Sequence, residues 1–285
     1  MKQVICLVFL WIFWSNAVEA NENQRASAEA AVLVKDKNVT KAEAAAQSGR
    51  IINGFSVEIA KYPFVLSLRR DGKFDCGATV ISLSHALTAA ASIYPYRNSP
   101  QRMTLYGGST SPTSGGVSFS VLRIAVHPNY NPIVRVSDFN IAVLTVPTNA
   151  FRAKRNIAPI PLASSVVETG TKCSVFGWGS TNYYIPAPAT TLRAADMVIS
   201  SEATCARAWL QLPSPVVITS NMVCAKGDRG ADLCIGDCGN ALVCRGKFTG
   251  IAFLSSLRCD TSRDSGYIKI TAPSVRNFIR SQSGV

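Results

Sequence analysis

Histidine is nearly absent: the 285 residues contain two, His85 and His127. A zinc site built on paired histidines is therefore not expected, and no cysteine pair stands at zinc-finger spacing with them. Long apolar runs are also missing, since none reaches the ~18 to 20 residues that cross a bilayer. No membrane span is expected. Charged residues are few, 16% against 47% apolar, which argues against general disorder and leaves ample material for a core. Acidic residues are outnumbered, 17 Asp and Glu against 29 Lys and Arg, for a formal charge of +12. The first 50 residues hold six basic and five acidic side chains, so the remainder carries +11. That excess favours anionic partners such as a glycan, an acidic protein or an anionic surface, and is silent about fold.

The chain opens with an address. Lys2 precedes an apolar stretch from Val4 to Trp14, followed by Ser15-Asn16-Ala17-Val18-Glu19-Ala20. A basic start, an apolar middle and small residues at the end read as a secretory signal peptide over residues 1–20, cut after Ala20 or Ala17. Residues 21–50 read as a pro-segment, Ala-, Glu- and Lys-rich from Asn21 to Gln47 without an aromatic residue. It carries the sequon Asn38-Val39-Thr40. Residues 51–285 are left as the folded domain, expected to be secreted and extracellular. Of nine cysteines, Cys6 leaves with the signal, and an even set remains: Cys76, Cys173, Cys205, Cys224, Cys234, Cys238, Cys244 and Cys259. An even set in a secreted chain implies a disulfide framework, and counting alone leaves its connectivity open.

The body reads as all-β. Short runs rich in Val, Ile, Leu and Phe recur at Phe64–Leu68, Ala78–Ile81, Phe119–Val126, Ile141–Val146, Cys173–Trp178, Met197–Ile199, Ala241–Cys244 and Thr249–Phe253. Turn signals such as Asp71-Gly72, Gly107-Gly108 and Gly115-Gly116 separate them. Many short strands without long helical periodicity indicate a sandwich or barrel. Near the end Val275, Phe278 and Ile279 stand at i, i+3 and i+4, the spacing of a short amphipathic helix.

Arg50-Ile51-Ile52-Asn53-Gly54 resembles the activation site of chymotrypsin/trypsin-like serine proteases. Six further tags follow in that family's order: Cys76-Gly77-Ala78, Leu87-Thr88-Ala89-Ala90, His127-Pro128-Asn129-Tyr130, Ile141-Ala142-Val143-Leu144, Gly177-Trp178-Gly179 and Cys234-Ile235-Gly236-Asp237-Cys238-Gly239. The resemblance runs from Ile51 to Val285. It implies two packed six-stranded Greek-key β-barrels with a cleft between them and a short C-terminal helix.

That family's chemistry needs a hydroxyl nucleophile, an imidazole that takes its proton and a carboxylate that orients the imidazole. On the matching positions this chain has Ala91 for the imidazole, Asn140 for the carboxylate and Cys238 for the nucleophile. No catalytic set is expected. His85 and His127 fall where the family carries non-catalytic residues, and Asp138 has no imidazole to orient. The backbone N–H groups of Gly236 and Cys238 would form an oxyanion-hole-like pair. A thiol hydrolase built on Cys238 is the competing reading, and it lacks a group to protonate a leaving amine.

The resemblance also implies the bridges Cys173–Cys244, Cys205–Cys224 and Cys234–Cys259. Cys76 is left without its usual partner, now Ser92. A Cys76–Cys238 bridge is expected, because the strand bearing Cys76 would run behind the nucleophile loop. Cleavage after Arg50 would free the Ile51 amine for Asp237, so the activation switch reads as intact. Asp232 matches the acidic pocket base that selects Arg or Lys. Its neighbour Leu233, and Phe253-Leu254-Ser255 in place of Ser-Trp-Gly, should narrow the pocket. The loop at 103–122 holds no Asp or Glu, so neither calcium nor any other metal or cofactor is expected. Basic residues fall in three groups: Arg69-Arg70, Arg97 with Arg102, and Arg152 with Lys154 and Arg155. The expectation is a secreted, non-catalytic protease homologue whose partners are extracellular proteases or their substrates. The alternatives are residual proteolysis and a basic glycan-binding or structural protein. Nucleic acid is not among the expected partners.

Overall fold

The computed structural model describes residue 51 and residues 53–285, except 135, 137, 181–183, 185, 186, 257, 258, 260 and 261. The signal peptide, the pro-segment, the sequon and Arg50 fall outside the described residues. Strands alternate with tight turns wherever apolar runs meet Gly, Asn or Asp. The first barrel contains β2 (Val65–Arg70), β3 (Lys73–Val80), β4 (His85–Thr88), β5 (Met103–Gly107), β6 (Val117–Ser120), β7 (Arg123–Val126) and β8 (Ala142–Thr145), after the two-residue β1 (Phe55–Ser56). The second contains β9 (Lys172–Gly177), β10 (Arg193–Ile199), β11 (Met222–Gly227), β12 (Ala241–Cys244), β13 (Lys247–Leu254) and β14 (Ser265–Lys269).

Each sheet has seven strands, against an expected six. In the second, β1 adds an edge strand on β10, while β9 pairs with both β10 and β12 and closes the barrel. In the first, the run Phe119–Val126 divides at Val121-Leu122. Its front half pairs with β5 and its rear half with β8, so one segment serves both edges. The bend lets Val121 and Leu122 donate to Met103 and Thr145 carbonyls at 3.2 and 2.8 Å.

The helix anticipated from Val275, Phe278 and Ile279 is present, with all three side chains buried. Two helices were not anticipated. In chain order the helices are α1 (Ala90–Ile93), α2 (Glu202–Leu210) and α3 (Pro273–Ser283). Proline in its first turn starts α3, and Gly284 at φ 74° ends it. One apolar cluster fills the first barrel and another the second, and a third lies between them. In that seam Phe176 of β9 packs tilted on Tyr62 and edge-to-face on Phe64, at centroid distances of 4.2 and 5.6 Å. Trp178 donates its indole N–H to the Thr110 carbonyl at 2.8 Å. Burying rings of this size dominates such an interface, and β4 and β13 end beside the 234–240 loop.

Candidate active-site positions

Ala91 and Asn140 are joined directly, and the loop bearing Cys238 packs on the strands that lead to them. Ala91 lies in α1, directly after β4, and Asn140 precedes β8, the strand paired with β4. The Asn140 side-chain oxygen accepts the Ala91 N–H at 2.8 Å, and Asn140 is buried. The Cys238 carbonyl accepts the Gly77 N–H at 3.0 Å. Gly239, at φ 86°, packs so closely on Gly77 and Thr88 that a side chain would collide with them. The loop bearing Cys238 is thus pressed against β3 and β4.

The two histidines are occupied elsewhere. His127 is buried and stacked on Phe139 at 4.5 Å. Its Nδ1 accepts the Asn129 N–H at 3.2 Å, so the proton sits on Nε2, 3.1 Å from Ser274 Oγ on α3. His85 Nδ1 lies 2.8 Å from Ser82 Oγ. Burial holds both rings below the usual imidazole pKa, and Arg123 adds to this at His85.

The Cys238 thiol is half-buried and pushed up to about 11, chiefly by burial and next by the Asp237 charge. Its sulfur faces the Phe253 carbonyl at 3.9 Å. The N–H groups of Gly236 and Cys238 find no backbone acceptor among the described residues, whereas Asp237, Gly239 and Asn240 donate to Cys234, Ala252 and Asp237 carbonyls.

The expected bridges Cys173–Cys244, Cys205–Cys224 and Cys234–Cys259 are present. The expected Cys76–Cys238 bridge is not: both thiols are free. The reason is the two-residue period of β3. Gly77 faces Asn240 in the nucleophile loop, so Cys76 points the other way, into the first barrel. Its sulfur lies 3.7 Å from Thr88 Oγ1 and is hydrogen-bonded to Ser92. Adjacent backbones with diverging Cβ vectors cannot be bridged. Burial pushes the Cys76 thiol up to about 12.

Asp237 is fully buried. It accepts the N–H groups of Gly179 and Cys234, each at 3.0 Å, and the Asn240 amide at 3.2 Å. Burial pushes its carboxyl up to about 7 against these donors, with a further push from the Asp232 charge. The carboxylate fits because Gly177 and Gly179 leave it room; a methyl group on either would overlap it. Ile51 is also fully buried, in the second-barrel cluster with Ala231 and Leu233. The strap behind it is held by Asn53 donating to the Gly230 carbonyl at 2.8 Å and Arg193 donating to Ser56 Oγ at 2.7 Å.

Asp232 is 2% exposed and already engaged. The Leu233 N–H reaches it at 2.7 Å, the Ser256 hydroxyl at 3.1 Å and the Ser265 hydroxyl more closely still. Leu233 is buried, while Phe253, Leu254 and Ser255 are half-buried along the end of β13. The sequence reading missed Ser256 and Ser265. Ser265 is 33 residues from Asp232, and only the pairing of β14 brings it there. Three surface cavities of about 560, 450 and 230 Å³ lie elsewhere, and neither Cys238, Asn140 nor Asp232 lines any of them.

A sequence profile of trypsin matches residues 51–279. The chain belongs to the trypsin family. Trypsin delta of Drosophila melanogaster is 34% identical over 203 residues, 71% of this chain and 77% of that one. Trypsin beta of Drosophila erecta is 32% identical over the same length and shares. Among solved structures, neuropsin, a serine protease expressed in the limbic system of mouse brain, superposes with a TM-score of 0.72 at 27% identity, covering 81% of this chain and 99% of that one. The scabies mite inactivated protease paralogue S-D1 also reaches 0.72 at 22% identity, covering 82% and 98%, a likeness of fold alone.

Proposed function

We propose that this trypsin-family chain is secreted and non-catalytic, and that it acts by binding extracellular proteases or their substrates. The observation that carries this reading is the disposition of its two imidazoles. His127 uses both ring nitrogens on Asn129 and Ser274, and His85 is held by Ser82, so neither serves Cys238. Loss of the general base alone costs several orders of magnitude in turnover. A protonated thiol near pKa 11 does not replace it, because the thiolate is the nucleophile. The amide of Asn140 carries no charge that would stabilise an imidazolium.

Two features favour a retained protein-binding surface. The Gly77–Cys238 and Ala91–Asn140 hydrogen bonds support this reading by holding the segments around Cys238 and Ala91 in place. The Ile51 strap and buried Asp237 keep the parts of the activation switch, so cleavage after Arg50 would give Asp237 a cation in place of neutral donors. The pocket at Asp232 supports little recognition of a basic side chain, since two hydroxyls and an N–H already satisfy the carboxylate.

Purified protein cut after Arg50 should hydrolyse fluorogenic peptides no faster than its Cys238→Ala variant. It should change the rate at which an active extracellular protease of the same fluid cleaves its substrate. Peptide turnover that disappears in Cys238→Ala would overturn the non-catalytic reading.

A further inference from the structure

The basic groups lie apart in the sequence, and the fold joins two of them. β2 and β3 form a hairpin turned at Asp71-Gly72, with φ of 50° and 79°. This sets Arg70 directly opposite Lys73, like charges on one face of the ladder. The segment from α1 to β5 brings Tyr94, Tyr96, Arg97 and Arg102 against the hairpin. The Arg70 and Arg102 guanidinium groups lie 5.0 and 4.8 Å from the Tyr96 ring centroid. Arg70 also donates to the Tyr96 hydroxyl at 3.0 Å. Arg97 lies over Tyr94 at 4.1 Å. Two carboxylates serve these four cations: Asp75 pairs with Arg70 at 3.0 Å, and Asp71 pairs with Arg102. Lys73 and Arg97 are exposed and have no carboxylate partner among the described residues.

We propose that this Arg/Lys/Tyr face docks an acidic polypeptide segment, an inference that rests on the binding role argued above. Its position favours a peptide that also lies along the cleft. β3 leads from Lys73 to Gly77, whose N–H holds the Cys238 carbonyl. At ~3.3 Å per residue those four steps span about 13 Å. On the other side α1, which contains Ala91, runs directly into Tyr94–Tyr96. A chain crossing the nucleophile loop therefore reaches the cations within a few extended residues. Exposed Asp71 stands among them, which repels a uniformly sulfated polymer and tolerates spaced carboxylates. Stacking on the tyrosines fixes the guanidinium groups before the partner arrives, which lowers the ordering cost of binding.

The test uses the purified protein and a fluorescein-labelled peptide bearing four glutamates spaced by glycine and serine, read by fluorescence anisotropy. At low salt the peptide binds, and its glutamine counterpart does not. Lys73→Glu with Arg97→Glu weakens binding about tenfold or more, and the difference shrinks as salt screens the charges. Lys73→Gln with Arg97→Gln, which adds no new charge, gives a smaller loss. Arg152→Glu with Lys154→Glu, at the other basic group, leaves binding unchanged. Equal losses in both Glu pairs would reduce the effect to net charge and overturn the site. An unaffected Lys73→Glu/Arg97→Glu variant would do the same, as would heparin binding through this face with no binding of the peptide. Hydrolysis assays decide the non-catalytic reading separately, so the two fail independently.

Discussion

The Asn140 carboxamide oxygen accepts the Ala91 backbone N–H at 2.8 Å. An amide oxygen accepts this N–H without carrying a carboxylate's charge, so the loop junction is held by a neutral hydrogen bond. Asn140→Ala should destabilise the fold by about 1 kcal/mol, the usual cost of a lost hydrogen bond. Asn140→Asp should leave the melting temperature within a few degrees and still give no turnover. Thermal melts with a fluorogenic assay read both; turnover in Asn140→Asp would contradict the account.

The two free thiols should be present and unreactive. With Cys238 near 11 and Cys76 near 12, about a thousandth of Cys238 and less of Cys76 is thiolate at pH 8. Iodoacetamide should label the native protein slowly. After denaturation without reductant, intact-mass analysis should find two added alkyl groups per chain. No added groups would mean that Cys76 and Cys238 are oxidised.

Asp237 makes stability pH-dependent in a particular direction. Its folded pKa, about 7, lies above the ordinary carboxyl value of 3.8. Its contribution is therefore full below about pH 4 and is lost as pH rises through 7. At about 1.4 kcal/mol per pKa unit the change amounts to a few kcal/mol. Uncleaved wild type should lose stability across this window in urea titrations, and Asp237→Asn should flatten the profile. Cleavage after Arg50 should reverse the slope near neutrality, because a buried carboxylate beside a new amine is stabilised in its charged form.

The Asp232 pocket should be closed by hydroxyl groups that can be removed. Ser265 and Ser256 donate to the carboxylate, and Ser255 lies at the end of β13 nearby. Benzamidine, a planar cation, should bind wild type weakly. Ser255→Gly with Ser265→Gly should tighten binding at least about tenfold, since each change removes a side chain and one leaves Asp232 a hydrogen bond short. Isothermal calorimetry giving equal affinities would show that the backbone, and not these hydroxyls, closes the pocket.

The cysteine count and short motifs carried much of the reading, since a disulfide framework and glycine-tight turns leave local marks. The three bridges and the C-terminal helix were anticipated and are present. Helix α2 was not anticipated because it buries Cys205 and Trp209 alone, too few positions to set a period. The proposed Cys76–Cys238 bridge failed for a different reason. Nearness of two backbone segments was inferred correctly, but the side-chain alternation of β3 sends the two sulfurs apart.

The sequence by itself determined which chemical groups are available: two histidines in the whole chain, and a thiol at Cys238. Composition is a property of the chain, and no packing can supply an imidazole it lacks. Only the tertiary structure decided how the remaining groups are used. It buried Asp232 under Ser256 and Ser265, turned Cys76 away from Cys238, and gathered Arg70, Arg97 and Arg102 around two tyrosines with Lys73 opposite Arg70. Those outcomes depend on strand register and side-chain direction, which arise when distant segments pair and which no local stretch of sequence encodes.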